Sequence, residues 1–191
     1  VGTGISGIGA VGLLNAVGAE VVLYDGNEKL KIEDIEKKLG TYKAEIVLGE
    51  LTKELTDSSD LLVISPGVPI DSPVVKAFEA AGVPIWGEVE LAYAFDKGKV
   101  LAITGTNGKT TTTALVGQIV GAYHKDTFVV GNIGNPYTTE VLKSNKDSYT
   151  VAEISSFQLE TVHEFHPLVS AILNITPDHF CLLYTSPSPR D

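Results

Sequence analysis

The sequence predicts an α/β protein built on parallel sheets, and three observations carry that expectation. Short β-branched runs alternate with stretches of helical spacing, the order that gives parallel strands joined by crossover helices. Two glycine-rich loops each stand directly before a helix-like stretch. Hydrophobic content of 43% beside 20% charged residues belongs to an ordered globular chain rather than a disordered one.

The elements are expected in the following order. A glycine-rich turn over residues 2–9 leads into a helix that ends near Gly18. Residues 20–24 (EVVLY) read as a strand closed by Asp25, and residues 32–39 as a helix whose Glu and Lys side chains form a solvated face. Strands follow over residues 44–48 and 61–64, and Ser65-Pro66-Gly67-Val68-Pro69 turns the chain sharply. Then come a helix over 74–81, a short strand over 83–86 and a helix over 88–95. The polar, glycine-containing run from Asp96 to Lys99 is the expected domain boundary, giving a first domain over 1–96. After it the alternation restarts: a strand over 100–104, a loop over 105–109, a helix over 110–122, and strands over 127–130, 149–154 and 170–175. The second domain is expected over 97–179, as a partial domain. Residues 180–191, with Cys181, lose every earlier pattern and are expected to be a non-native tail. Val1 lies inside the first glycine loop, so the strand expected before that loop is missing from the sequence.

Composition excludes several function classes. A net charge of −10 argues against a nucleic-acid partner, which needs clustered Lys and Arg. No apolar run approaches the ~18 residues of a membrane span, and no signal peptide is visible. The single Cys181 permits no internal disulfide and suits a reducing cytoplasm. His124, His163 and His166 have no motif context and are expected on the surface.

Gly2-Thr3-Gly4-Ile5-Ser6-Gly7 is a G-x-G-x-x-G, in which glycines let the backbone turn tightly and approach a diphosphate at the positive end of the next helix. Asp25, at the end of the following strand, is suited to a ribose hydroxyl or base edge. This describes a Rossmann-like domain, although a glycine turn made only for helix packing fits the same letters. Gly105-Thr106-Asn107-Gly108-Lys109-Thr110 follows a strand and precedes a helix, the context of a phosphate loop, even though Ile103 occupies the usual first glycine. Backbone N–H groups would cradle phosphates, Lys109 would neutralise their charge, and the Thr110 hydroxyl would face Mg²⁺. Thr111 starts the helix beside them. The second domain therefore reads as a P-loop-type α/β ATP-binding domain. One loop alone would suit a dehydrogenase or a simple ATPase; both together suit an enzyme that holds a nucleotide-tagged substrate and uses ATP.

Several segments then carry a specific resemblance. Thr104 to Thr110 (TGTNGKT), Gly131-Asn132-Ile133-Gly134, the run from Glu153 to Glu160 (EISSFQLE) and Asn174-Ile175-Thr176-Pro177-Asp178-His179 resemble, in order and spacing, the Mur ligase and folylpolyglutamate synthase superfamily. SSFQLE, Asn107 where the alanine-adding members carry His, and Ser65-Pro66-Gly67 ahead of Gly87-Glu88-Val89-Glu90-Leu91 look like the D-glutamate-adding Mur ligases. The resemblance covers residues 1–179. It implies ATP-dependent joining of D-glutamate to UDP-N-acetylmuramoyl-L-alanine through an acyl phosphate, by a cytoplasmic monomer with two Mg²⁺ ions. It implies ATP contacts from Gly105, Thr106, Asn107, Gly108, Lys109, Thr110 and Thr111. Catalytic roles fall to Lys109, Glu153 and His179, with Thr110, Glu153 and His179 as metal ligands. Substrate contacts fall to Gly4, Ile5, Ser6, Gly7, Asp25, Ser65, Gly67, Asn132, Ser155 and Gln158. Gln158 also admits a purely structural use, satisfying buried backbone groups, and Asn132 that of a turn residue. The family continues after Asp-His with another acid, a basic stretch and a carbamylated lysine, whereas Phe180 and Cys181 stand here. The family's last domain is expected to be absent and the chain alone inactive. The alternatives are an L-alanine-adding Mur ligase and a non-catalytic UDP-sugar or NAD binding module.

Overall fold

β-branched residues favour extended backbone where both faces are covered, and in the computed structural model, which describes residues 1–131 and 135–176, such runs form parallel ladders. The first half runs α1 (Ile5–Ala16), β1 (Val22–Asp25), α2 (Ile32–Leu39), β2 (Glu45–Leu48), α3 (Lys53–Ser58), β3 (Leu62–Ile64), α4 (Pro73–Ala80), β4 (Ile85–Gly87) and α5 (Glu88–Tyr93). The second runs β5 (Lys99–Thr104), α6 (Lys109–Tyr123), β6 (Thr127–Gly131), α7 (Tyr137–Glu140), β7 (Tyr149–Glu153), α8 (Ser156–Leu159) and β8 (Val169–Ile172). Among the described residues, β1 pairs with β2 and β3 with β4, while the second half forms one sheet of order β6-β7-β5-β8.

Differences from the expected elements have local causes. The last strand ends at Ile172 rather than at 175, because the chain after it turns toward the loop that follows β5 (Leu173 N–H still donates to Thr104 O at 2.9 Å). Among the described residues three short α-helices, α3, α7 and α8, and a 3-10 turn over Val141–Lys143 were not expected. α3 is polar and only six residues long, started by Thr52, whose side chain accepts from Leu55 N–H. α7 and α8 are single turns of four residues each, too short to show a helical period.

Between the β1–β2 and β3–β4 pairs lies a cavity of about 800 Å³, lined by Ala10, Leu14, Leu23, Leu62, Ile64 and Phe78 among others. Val1 and Gly2 bridge its end: Gly2 N–H donates to Tyr24 O at 2.9 Å, and Ser65 N–H donates to Val1 O at 3.1 Å.

The main core crosses the expected boundary at residue 97. Ala10 and Leu13 of α1 and Val89, Leu91 and Ala92 of α5 pack in one cluster with Val100, Val130, Tyr137, Ala152 and Ile154. Polar ties reinforce it. Asp96 Oδ2 accepts from the Tyr137 hydroxyl at 2.7 Å and from Thr150 Oγ1 at 2.8 Å, and Oδ1 accepts from Gly98 N–H at 2.7 Å. Burial, with Asp96 beside it, pushes the Tyr137 phenol well above its usual range. Glu90 is 1% exposed, and its carboxylate accepts from three successive N–H groups, His163 at 2.8 Å, Glu164 at 2.7 Å and Phe165 at 3.2 Å. A buried carboxylate needs such partners, and these fasten the loop after α8 to the first half. His124, His163 and His166 are exposed, as expected.

Candidate functional site

The described residues among those predicted gather at the carboxyl ends of the parallel strands, where open α/β sheets bind ligands. In the first half, the glycine loop runs into α1, whose N-cap, Gly4, offers no side-chain cap, and no acidic residue stands in the first turn. A helix start with orphan N–H groups and an uncompensated dipole is suited to an anion. Gly7 is glycine for space: a Cβ there would lie 1.9 Å from Gly2 O. Asp25 closes on this loop. Its Oδ2 accepts from Thr3 N–H at 3.2 Å and Thr3 Oγ1 at 2.9 Å, and its Oδ1 accepts from Asn27 N–H at 3.0 Å. Ser65, at the end of β3, lies against Gly2, and its buried Oγ has no hydrogen-bond partner. Gly2–Gly7, Asp25 and Ser65 are thus brought together. Gly67 and Ile5 sit exposed beside them.

In the second half, the loop after β5 enters α6 through Gly108, in the left-handed conformation at φ +84°, again with no side-chain cap and no acidic residue in the first turn. Lys109 folds back on this loop, and its Nζ donates to Gly105 O at 2.7 Å and Thr106 O at 3.0 Å. Thr110 and Thr111 are exposed at the start of α6, whereas Thr113 is fully buried. Glu153 ends β7, the strand beside β5, in register with Ile103 and with Gly131 of β6. It is 1% exposed, so this strand end is not solvated.

Ser155 and Gln158 form a capping box on α8. Gln158 Oε1 accepts from Ser155 N–H at 2.9 Å and Ser155 Oγ at 3.1 Å, while Gln158 N–H donates to Ser155 Oγ at 3.3 Å. The structural use weighed for Gln158 is therefore present, and the S-x-x-Q spacing carries its signal. Asn132, His179 and Cys181, and with them the expected tail, lie outside the described residues. Among the described residues no group of three or more His, Cys, Asp or Glu side chains is placed to hold a metal ion. Nor, among them, is any helix long and apolar enough to cross a membrane.

Sequence reasoning missed Glu88 as a residue of this region. It is 5% exposed at the start of α5 and faces Ser6 of the glycine loop and the backbone of Tyr137 and Thr138. Burial pushes its carboxyl above the ordinary value, and those hydrogen-bond donors only partly oppose the shift. A raised folded-state pKa contributes stability that is complete below the ordinary value and lost as pH rises through the raised one. Glu88→Gln, neutral at every pH, is therefore expected to melt above the parent at about pH 8 and to show no gain at about pH 4. Thermal melts at the two pH values check this, and an equal difference at both would contradict it.

Two family profiles match this chain, the Mur ligase MurD-like, N-terminal domain over residues 1–87 and the Mur ligase middle domain over residues 103–183. The UDP-N-acetylmuramoylalanine--D-glutamate ligase of Lachnospira eligens is 73% identical over 179 residues, 94% of this chain and 40% of that protein. The ligase of the same name from Lachnoclostridium phytofermentans is 59% identical over 180 residues, again 94% and 40%. The chain spans about 40% of the length of these relatives. The solved UDP-N-acetylmuramate:L-alanyl-gamma-D-glutamyl-meso-diaminopimelate ligase (MPL) from Neisseria meningitides shares the fold, with TM-score 0.52 at 20% identity over 94% of this chain and 59% of its own. With one profile matching the glycine-loop half and the other the half that carries Lys109 and Glu153, the chain belongs to the Mur ligase family.

Proposed function

We propose that this chain is the substrate-nucleotide and ATP-binding part of a ligase that joins D-glutamate to the alanine carboxylate of UDP-N-acetylmuramoyl-L-alanine in peptidoglycan precursor synthesis. The observation that carries the reading is the pair of glycine-led, uncapped helix starts, one beside Asp25 and Ser65 and one beside Lys109 and Glu153, joined by a common core. The names of the relatives support the choice of amino acid and nucleotide substrate.

On this reading the first loop, with Gly4, Ile5, Ser6, Gly7, Asp25, Ser65 and Gly67, anchors the UDP end. Gly105 to Thr111 take the polyphosphate of ATP, and Lys109 leaves the carbonyls of Gly105 and Thr106 to counter its charge. The alanine carboxylate attacks the γ-phosphorus and ADP leaves. The amine of D-glutamate then attacks the acyl carbon, loses a proton, and inorganic phosphate departs. Such a reaction asks for alignment and charge neutralisation more than for a protein nucleophile. The hard oxygens of Thr110 and Glu153 suit Mg²⁺, with His179 as a further ligand. Bound there, the ion would supply additional charge neutralisation at the phosphates. Ser155, Gln158 and Asn132 would line the muramoyl-alanine end, and the enzyme works as a cytoplasmic monomer.

A thermal-shift panel of this chain with UDP-N-acetylmuramoyl-L-alanine, UDP, NAD and Mg-ATP tests the reading. A ligand at about 100 times its Kd adds roughly 2.7 kcal/mol to the state it binds. Shifts are expected with the muramoyl nucleotide and with Mg-ATP, and a shift with NAD alone would return the first loop to a dehydrogenase role.

A further inference from the structure

The phosphate loop is held from the neighbouring strand by a residue to which the sequence reading gave no role. Asn174 stands two residues past β8, and its carboxamide holds both main-chain polar groups of one loop residue, Asn107. Oδ1 accepts from Asn107 N–H at 2.9 Å, and Nδ2 donates to Asn107 O at 2.8 Å. Its own main-chain carbonyl accepts from Thr106 N–H at 3.1 Å. Two residues on, the Thr106 hydroxyl donates to Thr176 O at 3.1 Å and accepts from Thr176 N–H at 3.0 Å. Gly105 makes this approach possible: its φ is +140°, and a Cβ would stand 3.1 Å from both the N and the O of Asn174.

These contacts divide the loop's amides. Those of Thr106 and Asn107 are used by Asn174, so an anion is left to the amides from Gly108 onward, at the positive start of α6. Among the described residues, Lys109 also bonds the loop's carbonyls, through Gly105 and Thr106. Once Lys109 turns to a phosphate, the ties from Asn174 and Thr176 remain to keep a glycine-rich segment in one conformation. Preorganised donors bind and stabilise charge without the cost of ordering them.

We infer that Asn174 is a positioning residue for the phosphate loop, clamping Thr106 and Asn107 so that the amides beginning at Gly108 face the polyphosphate of a nucleoside triphosphate. The inference rests on the phosphate-loop reading above and adds the residue that sets the loop's shape.

Calorimetric titration of this chain and its Asn174→Ala variant with AMP, ADP, ATP and inorganic triphosphate tests it. The variant is expected to bind ATP and triphosphate about tenfold more weakly, with unchanged melting temperature. The loss should shrink from ATP to ADP and vanish for AMP, a gradation that general loosening of the fold does not give. Parent-like affinity for ATP and triphosphate in folded Asn174→Ala overturns the inference, as does an equal loss for all four ligands. Should that variant not fold, Thr106→Val removes only the hydroxyl tie to Thr176. A loss of about threefold for ATP then supports the clamp, and no loss overturns it. If the parent itself binds neither ATP nor triphosphate, the phosphate-loop reading is wrong and the clamp falls with it.

Discussion

On the proposed function, Lys109→Ala in a full-length ligase that carries this chain is expected to lower ATP turnover on the order of a thousandfold, the scale of removing one preorganised charge donor from a reacting centre. The reason lies in what surrounds it. The first turn of α6 holds orphan amides and a helix dipole but neither an acidic residue nor a side-chain cap, so Lys109 is the full positive charge carried by the loop itself. Its Nζ now rests on two neutral carbonyls, at 2.7 and 3.0 Å, a tether that a phosphate oxygen outcompetes because ionic hydrogen bonds are roughly twice as strong. The folded state should be little affected, since the side chain is not part of the core clusters. Steady-state ADP formation, with melting curves as control, reads both effects. An unchanged rate removes this loop from the chemistry.

The second large effect is on folding. Gly7→Ala puts a methyl group 1.9 Å from the carbonyl oxygen of Gly2 and 3.0 Å from its carbon, both backbone atoms that no rotamer change can move aside. Relief requires α1 to shift against the turn that Asp25 fastens through Thr3, and α1 carries Ala10 and Leu13 into the main core. A loss of about 3 kcal/mol is expected, lowering the melting temperature by roughly 10 °C. Gly4→Ala is the matched control, because a Cβ at Gly4 meets nothing within 4 Å. Equal melts for the two variants would show that the glycine loop tolerates bulk at Gly7 and is not the tight turn described.

The same pair of glycines shows what a sequence reveals and what it hides. The G-x-G-x-x-G spacing and the Gly-Lys-Thr step are local patterns, so both loops and the helices they start were legible, as were β1 after the first and β5 and β6 around the second. Strand ends were legible only where composition changes. The last strand was expected to reach 175, and it stops at Ile172 because Asn174 turns to bond Asn107, a partner 67 positions away in sequence. Glu153 was legible as a strand end, but its burial depends on β5 and β6 flanking β7, which no local pattern encodes. Glu88 and Glu90 stand at the start of an expected helix, and the burial of both was not legible, because their partners arrive from α1, α7 and the loop after α8. Ser155 and Gln158 carried a capping signal in their spacing, and the structure uses it.

The most direct test of the central reading is phosphate release by the intact ligase, measured with ATP and Mg²⁺ while nucleotide and amino-acid substrates are varied one at a time. Release is expected to require UDP-N-acetylmuramoyl-L-alanine and D-glutamate together. Release that instead requires UDP-N-acetylmuramate and L-alanine, or that ignores both substrates, would contradict it.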